Sequence, residues 1–258
     1  MMVTVNDIIT YLDNLYPENN AESWDNVGLL LGTKNNKVNK VLLTLDIDEK
    51  VVDEAVENKA DMIISHHPLI FNPIKSIITD SHDGRMFEKL IKNNIAVYSA
   101  HTNFDVSDNG LNDYAAKLVG ISVKGILSEQ SSLGRYGCFD KEHTLKDVLD
   151  ICKNSFYSKN IRYVGDLDKN IKNIAIVTGS GMSEVDSCYE KNIDLFITGD
   201  VKYSGAREAL NNNLSVIDLG HYGSEYIAVD LFYDVLSKKF TDVSFIKSTA
   251  NTDIFDSF

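Results

Sequence analysis

The sequence contains few of the residues and segments that mark several classes of protein. Three cysteines, Cys138, Cys152 and Cys188, are scattered without any C-x-x-C spacing, which argues against a disulfide framework or a thiolate zinc site. No apolar run approaches the roughly 20 residues of a membrane-spanning helix. No basic residue precedes the apolar positions of residues 1–12, as a secretory signal requires. We therefore expect a cytoplasmic protein with reduced cysteines and no membrane span.

Positive charge is also scarce. Lys and Arg total 25 against 38 Asp and Glu, so the formal net charge is -13. Affinity for nucleic acid comes mainly from Lys and Arg that displace counterions, so nucleic acid is not an expected partner. The acidity is typical of a well-solvated surface.

Short β-branched runs alternate with amphipathic stretches along the chain, which is typical of parallel strands covered by helices. Residues 41–45 predict a strand, residues 49–58 a helix with one apolar face, and residues 62–65 the next strand. The sequence therefore predicts an α/β fold in which His66 begins a loop at the end of a strand.

The sequence also matches itself at a distance. A shift of 133 positions places residues 41–65 on residues 174–198, and a shift of 119 places residues 94–97 on residues 213–216. We predict two similar α/β domains related by an internal duplication, although any two βαβ units look somewhat alike. The first domain is predicted at residues 1–127 plus 218–258, and the second at residues 128–217, with a helix capped near Thr144.

Polar clusters follow four of the predicted strands, and open α/β sheets bind their ligands at the carboxyl ends of strands. These clusters hold four of the six histidines. The concentration predicts a site. The clusters are Ser65-His66-His67-Pro68, Ser99-Ala100-His101-Thr102-Asn103-Phe104-Asp105, Thr198-Gly199-Asp200 and Gly220-His221-Tyr222-Gly223-Ser224-Glu225.

The residue types in these clusters are those that ligate metals. His66 and His67 suit two neighbouring ions, because consecutive side chains diverge. His221 and Glu225 would lie one turn apart at a helix start, and the two carboxylate oxygens of Glu225 would allow it to bridge ions about 3.5–4 Å apart. Asp105 would add an oxygen ligand. Each piece alone also fits a solvated or structural role, but together they predict a metal site.

Three neighbouring features have less specific interpretations. His101 fills space, donates a hydrogen bond to a ligand or acts as a general base, and we favour the hydrogen-bonding role. The Gly179-Ser180-Gly181 segment lacks the Lys of a P-loop and predicts a tight turn. The turn that begins Trp24-Asp25 predicts local packing, or alternatively a Trp that shapes the mouth of a pocket.

At these residues the sequence resembles the Nif-three-like dinuclear metal centre hexameric family, also named GTP cyclohydrolase 1 type 2 homologues. The resemblance covers nearly the whole chain. It runs through the four clusters above together with Trp24-Asp25-Asn26-Val27-Gly28-Leu29 and Gly134-Arg135-Tyr136-Gly137.

The resemblance implies two interlinked α/β domains, a toroidal homohexamer with a central cavity, and two divalent metal ions per chain. By resemblance, His66 and His221 hold one ion, His67 and Asp105 hold the other, and Glu225 contacts both. Histidine with carboxylate accepts Zn, Fe, Mn, Co or Ni, so the metal is not specified.

The expected function is metal-dependent hydrolysis, in which an activated water attacks a nucleotide or a cyclic amide while His101 or Asp200 moves protons. The alternative is a non-enzymatic metal-binding ring that acts as a scaffold or regulatory partner. The chain departs from many relatives at Ser204, where they carry a histidine, and it resembles the short form without an insert domain.

Overall fold

The computed structural model describes residues 2–256 and contains two β-sheets, each with its own helices. The predicted α/β class is confirmed. One compact unit holds the described residues through Ser107 together with Ala228–Ile254, and the other holds Asp108–Ile227 with Phe255 and Asp256. The chain thus leaves the first unit, forms the second and returns. The predicted boundaries at 127 and 218 lie inside the second unit, and residues 1, 257 and 258 lie outside the described residues.

The first unit contains a five-stranded sheet in the order β1-β4-β3-β2-β11. All neighbouring strands in it are parallel except β1, which pairs antiparallel with β4. Its strands are β1 (Gly28–Leu31), β2 (Lys40–Thr44), β3 (Met62–Ser65), β4 (Ala96–Ser99) and β11 (Ser244–Lys247), and its helices are α1 (Val5–Leu15), α2 (Glu49–Glu57), α3 (His82–Lys92), α4 (Thr102–Val106) and, from Ala228, α10 (Ile227–Lys239). A 3₁₀ turn lies at Glu18–Asn20.

The parallel strands form because both of their faces are covered. Every residue of β3 and β4 is buried, as expected for a sheet with helices on both sides. Ile63 and Val97 pack with Val51 and Val52 of α2 in one apolar core. The Asp48 carboxylate accepts a hydrogen bond from the Val51 amide and starts α2. The buried strands end at the polar loops that sequence analysis singled out.

The second unit contains a six-stranded sheet in the order β5-β6-β8-β9-β10-β7, in which β8, β9 and β10 are parallel. Thr144 starts a helix through a capping box, as predicted. The strands are β5 (Ser122–Ile126), β6 (Arg135–Thr144), β7 (Arg162–Val164), β8 (Asn170–Ile176), β9 (Leu195–Thr198) and β10 (Ser215–Asp218), and the helices are α5 (Leu111–Val119), α6 (Leu145–Ser155), α7 (Val185–Glu190), α8 (Tyr203–Asn211) and α9 (His221–Glu225). A 3₁₀ turn, Met182–Glu184, precedes α7.

Both units repeat one plan of an antiparallel strand followed by β-α-β-α-β. In the first unit this is β1-β2-α2-β3-α3-β4, with β1 beside β4. In the second it is β7-β8-α7-β9-α8-β10, with β7 beside β10. The shift of 133 positions that relates β2 to β8 also places residues 29–31 of β1 on β7. The repeat therefore extends one strand further than the sequence indicated.

Individual interactions recur as well. Asp61 Oδ2 accepts hydrogen bonds from the amides of Asn39 and Lys40, at 2.7 and 3.1 Å. At the equivalent place in the second unit, Asp194 Oδ2 accepts from the amides of Lys172 and Asn173, at 3.1 and 2.7 Å. Such agreement in atomic detail supports the predicted duplication. Among residues 2–256, no helix combines the length and apolarity needed to cross a membrane.

Candidate metal centre

His66 and His67 follow β3 directly, and their backbone continues the sheet for two residues. The His66 amide donates to Thr44 O and the His67 amide donates to Leu45 O. Ser65 Oγ donates to His67 O at 2.7 Å. Since these bonds fix the backbone, the two imidazoles leave the sheet in defined directions.

In each histidine of the first unit's cluster, Nδ1 lies within hydrogen-bond distance of an oxygen acceptor. His66 Nδ1 lies 2.9 Å from Ala100 O, and because a carbonyl oxygen only accepts, Nδ1 carries the proton. His67 Nδ1 lies 2.6 Å from the Asp46 carboxylate. His101 Nδ1 lies 2.9 Å from the Asp25 carboxylate. Protonation at Nδ1 leaves Nε2 of each ring as the lone-pair donor, the arrangement usual for metal-ligating histidines.

The three rings converge. One ring nitrogen from each of His66, His67 and His101 lies within 4.8 Å of the other two. The ring centroid of His101 is 5.1 Å from that of His66 and 5.5 Å from that of His67. His101 therefore belongs to the same group of nitrogen donors as the His-His pair.

The short helix α4 places Asp105 beside this group. Phe104 is fully buried and packs on Tyr16 and Phe232, with ring centroids 4.5 and 4.6 Å away. This apolar anchor fixes the preceding and following residues. Asp105 Oδ1 lies 3.7 Å from His66 Nε2, and the Asp105 residue is 7% exposed. A nearly buried carboxylate thus joins the imidazoles.

Asp25 orients the His101 ring through the contact with its Nδ1 atom. Burial opposes ionisation of Asp25, but hydrogen bonds from His101 and Thr102 outweigh it and lower the pKa of Asp25 to about 2. Thr102 donates to it through both its amide and its hydroxyl, at 3.1 and 2.5 Å. Asp25 is therefore an anion at neutral pH, and it fixes the orientation of the His101 ring.

The second unit carries the remaining predicted residues at the ends of β9 and β10. His221 Nδ1 lies 2.7 Å from Asp200 Oδ2, and His221 Nε2 lies 2.9 Å from Glu225 Oε2. His221 and Glu225 are one turn apart on α9, as predicted. Asp200 has a φ of 54°, a left-handed conformation uncommon for a residue other than glycine. This strained turn directs its carboxylate to His221.

Gly179 provides the space that Glu225 occupies. Its φ is +64°, and a Cβ placed on it would lie 2.0 Å from Glu225 Oε1. The Gly179 amide donates to Ser224 Oγ at 2.9 Å. The glycine is thus required both by the backbone conformation and by the carboxylate beside it.

Arg162, on the edge strand β7, connects the two loops that carry the Asp200–His221 pair. It donates to Val201 O at 2.9 Å, next to Asp200, and forms an ion pair with Asp218. Asp218 Oδ1 in turn accepts from the Gly220 amide at 2.9 Å, immediately before His221. Arg162 therefore stabilises both loops, the one that carries Asp200 and the one that carries His221.

A protein-family model described as Duf34/NIF3 (NGG1p interacting factor 3) matches residues 3–254. The chain belongs to the Duf34/NIF3 family. It is 39% identical over 259 residues to the GTP cyclohydrolase 1 type 2 homolog of Clostridium perfringens, with 98% of each chain covered. It is 36% identical over 245 residues to the homolog of Clostridium acetobutylicum, covering 93% of this chain and 90% of that one.

Solved structures of NIF3 type share the fold. The crystal structure of a Staphylococcus aureus hypothetical protein has a TM-score of 0.91 at 31% identity, with 100% of each chain covered. Reduced HcgD from Methanocaldococcus jannaschii has a TM-score of 0.84 at 29% identity, covering 96% of this chain and 98% of that one. The family resemblance predicted from the motifs is therefore confirmed.

Several residues that contact the candidate ligands were not predicted from the sequence. Asp46 and Asp25 were not predicted to orient His67 and His101, although Asp46 directly follows a predicted strand. Gly179 was interpreted as a turn without reference to Glu225. Ser204 is exposed in the first turn of α8. Acidic residues at other strand ends were the signal that could have found Asp46.

Proposed function

We propose that the chain binds two divalent metal ions and catalyses a hydrolytic reaction. The observation that carries the proposal is the group of His66, His67 and His101, whose ring nitrogens lie within 4.8 Å of one another. Three ring nitrogens at these separations can bind one metal ion, and the adjacent Asp105 carboxylate adds an oxygen donor. The family's naming as GTP cyclohydrolase 1 type 2 homologues supports the hydrolytic reaction.

The donor set fits a metal chemically. His66, His67, His101 and His221 all have Nδ1 within 2.9 Å of an oxygen acceptor, which leaves Nε2 for a further contact. In His221 this contact is Glu225 Oε2, at 2.9 Å, and a bound ion would replace it. Carboxylate partners of this kind raise the basicity of a ligating imidazole. The proposed ligands are those that the family resemblance implies, namely His66, His67, Asp105, His221 and Glu225. Zinc, iron, manganese, cobalt and nickel all accept such donors.

Divalent ions supply Lewis acidity when bound, since they lower the pKa of water toward neutrality and polarise an oxygen of the substrate. The protein residues set the geometry for this chemistry. Asp46 and Asp25 hold the protons on the Nδ1 atoms of His67 and His101, and Asp200 does the same for His221. The proton-transfer roles of His101 and Asp200 stay predictions, and the contact of Asp200 with His221 supports an orienting role.

The proposed substrates are nucleotides or cyclic amides, in keeping with the names of the relatives. For a guanine nucleotide, water would attack the imidazole-ring carbon. A homohexamer in the cytoplasm is part of the proposal. The cysteines agree with a reducing compartment, because all three are free, and burial raises the pKa of Cys152 and Cys188 to about 12.

Glu225→Gln tests the proposal, because Gln keeps the size of the side chain but removes its charge. Elemental analysis of the purified wild type is expected to give two equivalents of metal per chain. We expect Glu225→Gln to lower metal affinity or GTP turnover by about 10- to 100-fold, while light scattering shows an unchanged oligomer. Glu190→Gln, on the exposed surface of α7, is the matched control and should retain both properties.

Two results would contradict catalysis. Metal-loaded protein that fails to hydrolyse GTP, other phosphoesters and cyclic amides would leave a metal-binding ring as the function. Dissociation of the oligomer in Glu225→Gln, together with metal loss, would assign the ions to assembly.

A further inference from the structure

Two aromatic side chains of the first unit are held at the surface. Trp24 is 57% exposed and Phe71 is 50% exposed. Their ring centroids are 5.8 Å apart and their planes are inclined at 50°. Exposed aromatic surface of this size is unfavourable in water and is a common feature of binding sites.

Hydrogen bonds fix both aromatic residues in place. Asp25, next to Trp24, accepts from His101 and Thr102. Asn26 Nδ2 donates to Ile70 O at 2.5 Å, which ties the turn after Trp24 to the residue before Phe71. The two rings therefore lie on loops that are joined by a hydrogen bond. Because the backbone is already ordered, a ligand would bind with little further loss of conformational entropy.

The same rings border the histidine cluster. The His101 ring centroid lies 6.1 Å from that of Trp24 and 6.4 Å from that of Phe71, with interplanar angles of 74° and 69°. His101 thus meets both rings edge-on, and its own ring also lies beside those of His66 and His67. A molecule that rests on the aromatic pair would extend toward the proposed metal ligands.

We propose that Trp24 and Phe71 form a stacking surface for a planar heteroaromatic ring of the substrate. This inference rests on the proposed function and names the chemical class on which it acts. Flat rings stack on Trp and Phe without regard to their hydrogen-bond pattern, and the adjoining imidazoles place such a ring beside the hydrolytic centre. An aliphatic amide, which has no flat ring, would gain much less from this surface.

Trp24 provides its own reporter, because the chain contains one Trp. Metal-loaded protein is titrated with guanosine, which has the ring but no phosphate, and with ribose 5-phosphate, which has the phosphate but no ring. Guanosine is expected to quench Trp24 emission in a saturable manner. Ribose 5-phosphate is expected to leave the emission unchanged.

Substitution of Phe71 separates stacking from other contacts. Phe71→Ala is expected to weaken guanosine binding by about tenfold, and Phe71→Tyr, which keeps the ring, to restore it. Tyr203→Ala is the matched control, because Tyr203 is 84% exposed on α8 and contributes to no part of the proposed surface. Calorimetry with Trp24→Ala provides the corresponding test for the tryptophan itself.

The outcomes distinguish this inference from the proposed function. GTP turnover with an unchanged kcat/KM in Phe71→Ala would overturn the stacking surface and leave the hydrolase standing. Guanosine binding that depends on Phe71 in a protein without turnover would support the surface and contradict the hydrolase. The loop after Phe71 also exposes Ile74, Ile77 and Ile78, so a change of oligomeric state in Phe71→Ala, without a change in guanosine affinity, would overturn the inference in favour of a subunit contact.

Discussion

The orientation of single imidazole rings is the feature on which the proposed chemistry depends at the scale of residues. His66 is anchored by a backbone carbonyl, whereas His67, His101 and His221 are anchored by carboxylates. The first kind of anchor forms part of the main chain and cannot be removed by substitution. The carboxylate anchors can be removed one at a time, so the contribution of each ring orientation is open to measurement.

Gly179→Ala is expected to weaken metal binding, because the new methyl group would fall 2.0 Å from Glu225 Oε1. Gly120→Ala is the matched control. Gly120 has a φ of +85° and nothing within 4 Å of a Cβ, so both variants carry a backbone penalty of about 1 kcal/mol. Calorimetric titration with zinc should show a loss of about tenfold or more in Gly179→Ala only. Equal affinities in the two variants would refute the role given to Gly179.

The predictability of the site differed from residue to residue. His66, His67, His221 and Glu225 stood in short motifs after strands, so their residue types and local spacing were sufficient to select them as candidate ligands. The partner of His101, Asp25, lies 76 positions away. Such a pairing depends on the tertiary fold, which local patterns do not encode.

At the scale of elements, the segment after β11 is held to α2 by one side chain. Glu54 accepts hydrogen bonds from Ser248 Oγ, from the amide and hydroxyl of Thr249, and from the Ala250 amide, at 2.5 to 3.3 Å. Burial opposes the charge of Glu54, but these bonds outweigh it and lower the pKa of the carboxyl. Glu54 thereby fastens the edge of the first sheet.

Glu54→Gln is expected to lower the free energy of unfolding by about 1 kcal/mol at neutral pH. Because folding lowers the pKa of Glu54, its contribution is present above the ordinary value of 4.5 and is lost as the pH falls below it. The difference from wild type, measured by urea denaturation, should therefore shrink in acid. Glu57→Gln, exposed on the same helix, serves as the control. A difference that stays constant with pH would contradict the assignment.

Fully buried strands and capped helices were predictable as elements, whereas a short edge strand and a one-turn helix were not. The strand predicted at residues 62–65 matches β3, and Thr144 caps α6 as predicted. The edge strand β7 has 3 residues and the helix α4 has 5. Elements of that length lack a complete hydrophobic period, so only pairing and packing with distant residues define them.

At the scale of the whole molecule, one structural plan is used twice. Glycines with positive φ recur at Gly32 and Gly165, and a Cβ on either would meet the start of the corresponding strand, at Ala96 and Ser215. The sequence revealed the repeat at its apolar strands. It did not reveal the repeated carboxylate and glycine contacts, because their roles are visible only in the fold.

Asp61→Asn and Asp194→Asn are expected to have matching effects, each confined to its own unit. Each carboxylate accepts two backbone amides, so each loss should cost about 1 kcal/mol. Hydrogen exchange should accelerate at Asn39 and Lys40 in the first variant, and at the equivalent amides in the second. Asp168→Asn, on an exposed turn, should change neither set. Unequal effects of the two variants would argue against equivalent roles.

The two copies of the plan share the carboxylate and glycine contacts that hold their strands, but they differ in the residues at the strand ends. Where one copy has His66 and His67, the other has Gly199 and Asp200 at the same places in the repeat. The contacts that hold the strands and the candidate ligands thus lie on separate residues. Exchange of a few loop side chains would therefore change the chemistry available at the strand ends, while the carboxylates and glycines that hold the strands remain as they are.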